Sequence, residues 1–146
     1  RDGKKYLLTS ATTGYFPNPT ECAVCDSYQG DWENIGTIHV NDTENTSFRS
    51  QISSVFKHPF KKDLYIAVAD RWVPNGMYMN YEEIKAYYEM MFLEGRWEDA
   101  KEFRSKHNFP NEGNTSMADY IWLPILFDGD KPIIKWFDEW KLSDFE

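Results

Sequence analysis

In the middle of the chain stand two apolar runs, Ser50-Gln51-Ile52-Ser53-Ser54-Val55-Phe56 and Leu64-Tyr65-Ile66-Ala67-Val68-Ala69-Asp70, with turn residues at 58–62 between them. Short runs rich in β-branched and aromatic residues and bounded by a turn predict two antiparallel strands. The pattern continues on both sides, with further strands predicted at residues 6–10, 21–27, 36–40, 120–127, 132–137 and 140–142. Strands of this length and spacing indicate a sandwich, a barrel or about two four-stranded blades of a propeller.

One segment departs from the β pattern. Residues 81–106 are mostly strong helix formers and contain no proline, with Asn80 placed as an N-cap and Gly95 as a break. Helical spacing relates the apolar residues Ile84, Tyr87, Tyr88 and Met91. In the second half, the residues expected to turn inward are Trp97, Ala100 and Phe103. We predict a helical hairpin at about residues 80–107, acting either as a packing cover or as a lid over a substrate.

Composition limits the function. The 146 residues suffice for one folding unit, with a net charge of -8 and no basic run, so nucleic acid is not an expected partner. No stretch approaches the roughly 20 apolar residues of a membrane span. The acidic balance and the 17% aromatic content suit a neutral polyhydroxylated ligand, because aromatic rings support sugar faces while carboxylates and amides hold sugar hydroxyls.

Few residues suggest a metal or a nucleophile. Cys22 and Cys25 could be a redox pair or half of a zinc site, but they lie in a predicted strand, which favours two buried thiols. His39, His58 and His107 are far apart, and no serine has the setting of a nucleophile. We therefore predict no metal site and no cofactor.

Asp70 differs from the other carboxylates, which mostly occur at turns. It ends an apolar strand and is followed by Arg71 and Trp72. A carboxylate beside a guanidinium and an indole could orient a sugar, or it could form a buried ion pair that fixes the sheet.

Five short sequence motifs follow one another along the chain. They are Tyr6-Leu7-Leu8-Thr9-Ser10-Ala11-Thr12-Thr13-Gly14-Tyr15-Phe16-Pro17-Asn18-Pro19, Asp26-Ser27-Tyr28-Gln29-Gly30-Asp31-Trp32, Phe48-Arg49-Ser50-Gln51, Ala69-Asp70-Arg71-Trp72, and Tyr120-Ile121-Trp122-Leu123-Pro124-Ile125 through Trp136-Phe137-Asp138-Glu139-Trp140. Together these runs resemble segments of glycoside hydrolase family 43, in particular the group related to exo-β-1,3-galactanases.

The resemblance implies an all-β fold: residues 1–146 would be the C-terminal part of a five-bladed β-propeller, about two antiparallel four-stranded blades carrying the helical hairpin. Residues 1–6 read as a hairpin turn without its first strand, so the N-terminal half of the propeller is an expected partner. In that group a Glu upstream of this chain is the general acid, and Gln51 matches a Gln that holds the attacking water. The alternative for Gln51 is a structural hydrogen bond between blades.

The resemblance also implies a sugar pocket. Thr13 matches a pocket threonine, although capping its own turn is an equal alternative, and Tyr15 stands where the group usually has Trp. Asp70, Arg71 and Trp72 complete the expected substrate-binding set.

The expected activity of the intact protein is hydrolysis of galactan or arabinose-containing side chains with inversion, and its expected location is extracellular or periplasmic. Some family members hold an axial calcium ion, but no ligand cluster in this sequence identifies one. The rival hypothesis is a non-catalytic carbohydrate-binding or structural β domain.

Overall fold

Two antiparallel sheets form the body of the protein. The computed structural model describes residues 1–73, 80–107 and 115–146. The first sheet has three strands in the order of the chain: β1 (Lys5–Thr9), β2 (Glu21–Cys25) and β3 (Glu33–Thr37). The second has four, also in order: β4 (Gln51–Lys57), β5 (Tyr65–Arg71), β6 (Asp119–Asp128) and β7 (Lys131–Ile134). The all-β class predicted from the sequence is confirmed, with one four-stranded and one three-stranded sheet.

Two predicted strands differ from the structure. The third strand is Glu33–Thr37 and not residues 36–40, because the chain leaves the sheet after Thr37 and crosses to β7. There the Ile134 amide donates to the Ile38 carbonyl at 2.8 Å, and the Val40 amide donates to the Ile134 carbonyl at 2.9 Å. The backbone hydrogen bonds expected of a strand at 36–40 thus go to the other sheet.

The strand predicted at residues 140–142 is also wrong. The Trp140 indole N–H donates to the Trp122 carbonyl at 2.8 Å, and a 3₁₀ turn follows at Leu142–Asp144. The Asp144 carboxylate caps this turn by accepting from the Lys141 amide at 2.9 Å. A local side-chain cap therefore replaces strand pairing at the end of the chain.

The two sheets pack against each other through one apolar cluster, which we call the inter-sheet core. Its buried members are Cys22, Ile38, Ala67, Ala69, Ile121, Leu123, Ile125 and Ile134. Alternate residues of β5 and β6 supply most of them, as expected of strands that turn one face inward. This core joins residues of both sheets to Ile38 of the segment that crosses between them.

The helical hairpin predicted between β5 and β6 is confirmed, with α1 at Tyr81–Phe92 and α2 at Trp97–Lys106. Asn80 caps α1 in a capping box with Glu83, and Gly95, at φ 67°, allows the chain to turn between the helices. The hairpin has its own buried cluster, the hairpin core, made of Phe16, Val73, Ile84, Tyr87 and Ala100.

One inward residue was predicted wrongly, because the Trp97 side chain is 51% exposed. Trp97 is the first residue of α2, beside the turn that joins the two helices, and its ring packs edge to face against the exposed Phe92 at the end of α1. Within the described ranges, neither helix has the length and apolar character needed to cross a bilayer.

Candidate functional site

Gln51 is the first residue of β4, and its side chain binds the loop between β1 and β2. Its Nε2 donates to the Gly14 carbonyl at 2.8 Å and to the Phe16 carbonyl, and lies 3.4 Å from Thr13 Oγ1. Carbonyl oxygens only accept hydrogen bonds, so the nitrogen of the amide must face the loop and Oε1 must face away. No hydrogen bond from a described residue reaches Oε1. The loop thus fixes the Gln51 amide and leaves its oxygen available as an acceptor.

Thr13 is buried within that loop. Its hydroxyl donates to the Phe16 carbonyl at 2.5 Å and accepts from Asn18 Nδ2 at 2.8 Å. Asn18 is fully buried and also binds the Ala11 amide and carbonyl at 2.9 and 3.1 Å. The single proton of the Thr13 hydroxyl is therefore used within the turn, the alternative weighed for this residue. A direct contact between Thr13 and a sugar stays a prediction.

Gly14 and Tyr15 form the outer edge of the same loop. Gly14 has φ 58°, and a Cβ at this position would lie 2.8 Å from the Tyr88 hydroxyl of α1, so both conformation and space favour glycine. Tyr15 is exposed, and its ring centroid lies 5.3 Å from that of Trp72. The loop therefore connects Gln51, the hairpin and an aromatic pair.

The end of β5 separates the remaining predicted residues into two groups. Asp70 lies directly opposite Gln51 in the β4–β5 register, and side chains at such positions share a face of the sheet. Strand alternation places Arg71 on the other face. No ion pair joins Asp70 to Arg71 in the part of the chain that the structure describes, so that alternative has no geometric support.

Arg71 instead belongs to a small aromatic cluster. Its Nη2 donates to the Phe48 carbonyl at 3.0 Å, and its guanidinium carbon lies 5.3 Å from the centroid of Trp136. Its Nε is buried without a partner among the described residues. The geometry groups Gln51, Thr13, Tyr15, Asp70 and Trp72 around one loop, and Arg71 faces away from them.

A left-handed segment directly before β4 was missed by the sequence analysis. Positive φ angles occur at Asn41, Asn45, Ser47, Phe48 and Arg49, at 65°, 53°, 53°, 58° and 64°. Three consecutive residues other than glycine in this region are uncommon, since each costs about 1–2 kcal/mol. The run of Asn, Asp and Ser at 41–47 is the only sequence signal, because short polar side chains tolerate this conformation best.

Buried hydroxyls hold the left-handed segment in place. The Ser47 hydroxyl accepts from the Thr20 amide at 2.7 Å, and the Ser50 hydroxyl donates to the Ser47 carbonyl at 2.6 Å. The Ser50 amide closes the turn onto the Thr46 carbonyl at 3.0 Å. Since Gln51 follows immediately, this network sets where β4 begins and where the Gln51 side chain points.

Several ionisable groups near the site have shifted pKa values. Arg49 binds Glu44 with two hydrogen bonds, at 2.8 and 2.6 Å, which lowers the pKa of Glu44. Burial raises the pKa of Asp42, and burial lowers the pKa of His39 to about 4. His39 Nδ1 is buried and has no partner among the described residues. None of these groups contacts Gln51.

Neither cysteine is set up for chemistry. Cys22 and Cys25 are buried and unpaired, and burial raises the pKa of Cys22 to about 11, which keeps it a thiol at neutral pH. Across the described ranges no group of three or more His, Cys, Asp or Glu side chains could hold a metal ion. Among residues 1–73, 80–107 and 115–146, the carboxylates are therefore not clustered as side-chain ligands of a calcium ion would be.

Solved structures provide the comparison. No protein-family model and no curated protein matches the chain. A GH43 β-1,3-galactosidase with galactodeoxynojirimycin is 24% identical with a TM-score of 0.62, and covers 97% of this chain and 30% of its own. A second GH43 β-1,3-galactosidase is 24% identical with a TM-score of 0.63, at 98% and 22% coverage. An exo-β-1,3-galactanase from Phanerochaete chrysosporium with β-1,3-galactotriose is 19% identical with a TM-score of 0.58, at 92% and 21% coverage.

These likenesses identify the fold. The two sheets and the hairpin have the fold of a segment of GH43 glycoside hydrolases, as the motifs of the sequence predicted. The chain spans between about a fifth and a third of the length of the structures that it matches.

Proposed function

We propose that this chain is the C-terminal portion of a glycoside hydrolase of the GH43 kind that hydrolyses O-glycosidic bonds of polysaccharide with inversion. The observation that carries the proposal is the Gln51 amide, whose nitrogen is held by two loop carbonyls while its oxygen is left to accept. The GH43 fold supports it. Galactan is the favoured substrate, and arabinose-containing side chains are the second choice.

Inversion needs two groups on opposite sides of the scissile bond, roughly 6.5–9.5 Å apart, so that a water fits on one side. On the water side, Gln51 Oε1 would accept a hydrogen bond from the attacking water and aim its lone pair at the anomeric carbon. An amide takes up no proton at neutral pH, so Gln51 would position the water, and the proton that this water loses on attack would pass to solvent. The proton for the leaving oxygen would come from a carboxylic acid in a part of the protein outside this chain.

The sugar would rest beside the same loop. Tyr15 and Trp72 offer an aromatic surface for an apolar sugar face, and Asp70, on the Gln51 face of the sheet, can accept from sugar hydroxyls. Thr13 would act through the shape of the loop that it holds.

The proposed partner within the intact protein is the rest of a propeller. The described surface supports this proposal, because Leu7, Tyr120 and Trp122 are large side chains of the sheets that are exposed. A polysaccharide substrate fits an extracellular or periplasmic protein, and that location is part of the proposal.

A non-catalytic carbohydrate-binding domain is the second candidate. It is favoured by the structural use of Gln51 Nε2, which would be needed even without catalysis. Activity of the longer protein that contains this chain decides between the two.

The test is Gln51→Ala in that longer protein, assayed on β-1,3-galactotriose. We expect kcat to fall by about 10²-fold or more, because the water loses its acceptor. The loss of the loop clamp should also cost about 1–3 kcal/mol of stability. The matched control is Asn18→Ala, which loosens the same loop through the lost bonds to Ala11 and Thr13 without touching Oε1 and should keep most of the activity. An equal loss of rate in both variants would make Gln51 a structural clamp, and a retained product anomer by NMR would overturn inversion.

The 146-residue chain alone should release no sugar from the same substrate, since the proton donor is proposed to lie outside it, and such a donor contributes roughly 10²–10⁴-fold. Turnover near that of a full enzyme would refute the proposed division of the site.

A further inference from the structure

An aromatic strip runs along the hairpin away from Gly14. Tyr88 and Phe92 are four residues apart in α1, and their rings stack with centroids 5.9 Å apart and planes at 12°. Trp97, at the start of α2, meets Phe92 edge to face at 5.7 Å. We call Tyr88, Phe92 and Trp97 the aromatic strip.

Tyr88 packs against the edge of the hairpin core, and Phe92 and Trp97 extend the strip beyond it to the surface. The inward residues of the hairpin are Ile84, Tyr87 and Ala100, and these are buried. Phe92 is 66% exposed and Trp97 is 51% exposed, and Leu93 beside them is also exposed. A cluster of large apolar side chains at the surface marks an interaction site more often than isolated exposed residues do.

A cavity of about 310 Å³ lies beside the strip, between α1 and the β1–β2 loop. Tyr88, Phe92 and Leu93 give it apolar walls, and Lys85 and Glu89 stand at its rim with Lys85 Nζ 3.9 Å from Glu89 Oε1. This volume is at the lower end for small-ligand pockets. The rim offers a donor and an acceptor of opposite charge, which suits hydroxyl groups better than a ligand with a net charge.

The cavity is continuous with the Gln51 loop. Thr13 lines it, and the Tyr88 hydroxyl touches the position where Gly14 would carry a Cβ. Both residues belong to the loop that the Gln51 amide holds. A ligand chain that left the Gln51 site along this loop would therefore meet the strip.

We propose that the aromatic strip and its cavity bind a neutral polysaccharide chain, the polymer whose glycosidic bond is cleaved beside Gln51. This inference rests on the proposed function for its substrate class. The aromatic rings would pack against sugar faces. The Lys85 and Glu89 side chains would, respectively, donate hydrogen bonds to and accept them from the hydroxyls of the same sugar units. Contacts with sugar units beyond those at the reacting bond strengthen the binding of long substrates and leave short ones unaffected.

The test measures binding of β-1,3-galactan and of galactose to the protein by affinity electrophoresis and NMR titration. Phe92→Ala and Trp97→Ala, made separately, should each weaken galactan binding by about three- to tenfold and leave galactose binding unchanged. The control is Phe60→Ala, because Phe60 is 89% exposed on the β4–β5 turn, away from the strip, and its loss should change neither. Circular dichroism checks that the helices persist in all three variants.

Three results would overturn the inference: galactan binding that is absent in the unmodified protein, binding that is equal in all variants, or a dimer that the strip variants convert to a monomer. Failure of the proposed function looks different, since it would be an absence of hydrolysis by the longer protein with galactan binding still sensitive to Phe92 and Trp97. In an active protein, the strip variants should raise KM for galactan and leave KM for galactotriose unchanged.

Discussion

The inter-sheet core and the hairpin core contain equally buried side chains but are built differently. The inter-sheet core collects residues from both sheets and from the crossing segment at Ile38, so many distant parts of the chain depend on it. The hairpin core joins two helices that chiefly contact each other to one loop residue, Phe16, and to Val73. The difference teaches that burial alone does not tell how far the loss of a side chain will spread.

Ile134→Ala and Ile84→Ala form a matched pair that tests this comparison, because both side chains are 0% exposed. Ile134→Ala should lower the free energy of unfolding of the whole protein by about 2–5 kcal/mol, through lost burial and the cavity left behind. Ile84→Ala should lower the free energy for local opening of the hairpin by a similar amount and leave the free energy of unfolding of the sheets unchanged. Hydrogen exchange measured residue by residue separates the two. Equal loss of protection in β5 and α1 in both variants would show a single cooperative unit.

His39, which follows Ile38 of the inter-sheet core, should make the stability of the protein depend on pH. Burial lowers the pKa of His39 from 6.5 to about 4, so the folded state holds this ring neutral. The unfolded chain binds the proton first, and stability is therefore complete above pH 6.5 and falls as the pH drops toward 4, by about 3 kcal/mol in all.

The variant that isolates the His39 contribution is His39→Phe, whose ring can keep the edge contact with Phe48. Urea unfolding at pH 7 and pH 4.5 should show a smaller loss of stability for the variant than for the unmodified protein. Parallel pH curves would mean that His39 is protonated in the folded state without cost.

The sequence predicted the elements that local patterns define. Six of the eight strands, the helical hairpin, the Asn80 cap and the Gly95 turn could be read from spacing and residue type. The third strand and the end of the chain could not, because hydrogen bonds at Ile134 and Trp122 to distant segments decided them. Trp97 was misjudged because helical spacing does not show that its neighbour at the end of α1, Phe92, is itself exposed.

The site was predictable only in part. The motifs assigned Gln51, Thr13 and Tyr15 to one site, and in the structure the Gln51 amide at the start of β4 contacts the loop that carries Thr13 and Tyr15. The opposite orientation of Arg71 follows from strand alternation and could have been predicted. The left-handed segment before Gln51 could not, since buried hydroxyls of Thr20 and Ser47 that are 27 residues apart stabilise it.

Gly14→Ala tests the contact between the β1–β2 loop and the Tyr88 side chain of α1. We expect a loss of about 1–2 kcal/mol from the positive φ alone. The added Cβ would also contact the Tyr88 hydroxyl at 2.8 Å, so Tyr88→Phe should restore part of the loss. A double-mutant cycle of thermal midpoints measures the coupling. Strictly additive effects would show that the hairpin moves away from the loop without cost.

The smallest effect is expected at the start of α1, where Asn80 accepts from the Glu83 amide at 3.1 Å and Glu83 Oε2 accepts from the Asn80 amide at 3.1 Å. Asn80→Ala leaves one helix-end amide without its side-chain acceptor and should cost the hairpin about 1 kcal/mol. Asn80→Asp keeps the acceptor and adds negative charge at the helix N-terminus. Its hairpin should therefore be at least as stable as that of the unmodified protein. Amide exchange in α1 should speed up by about fivefold in Asn80→Ala and remain unchanged in β5, because 1 kcal/mol of local opening corresponds to roughly that factor. A matching increase in β5 would mean that the hairpin and the sheets open together. The hairpin core and the inter-sheet core would then not unfold independently.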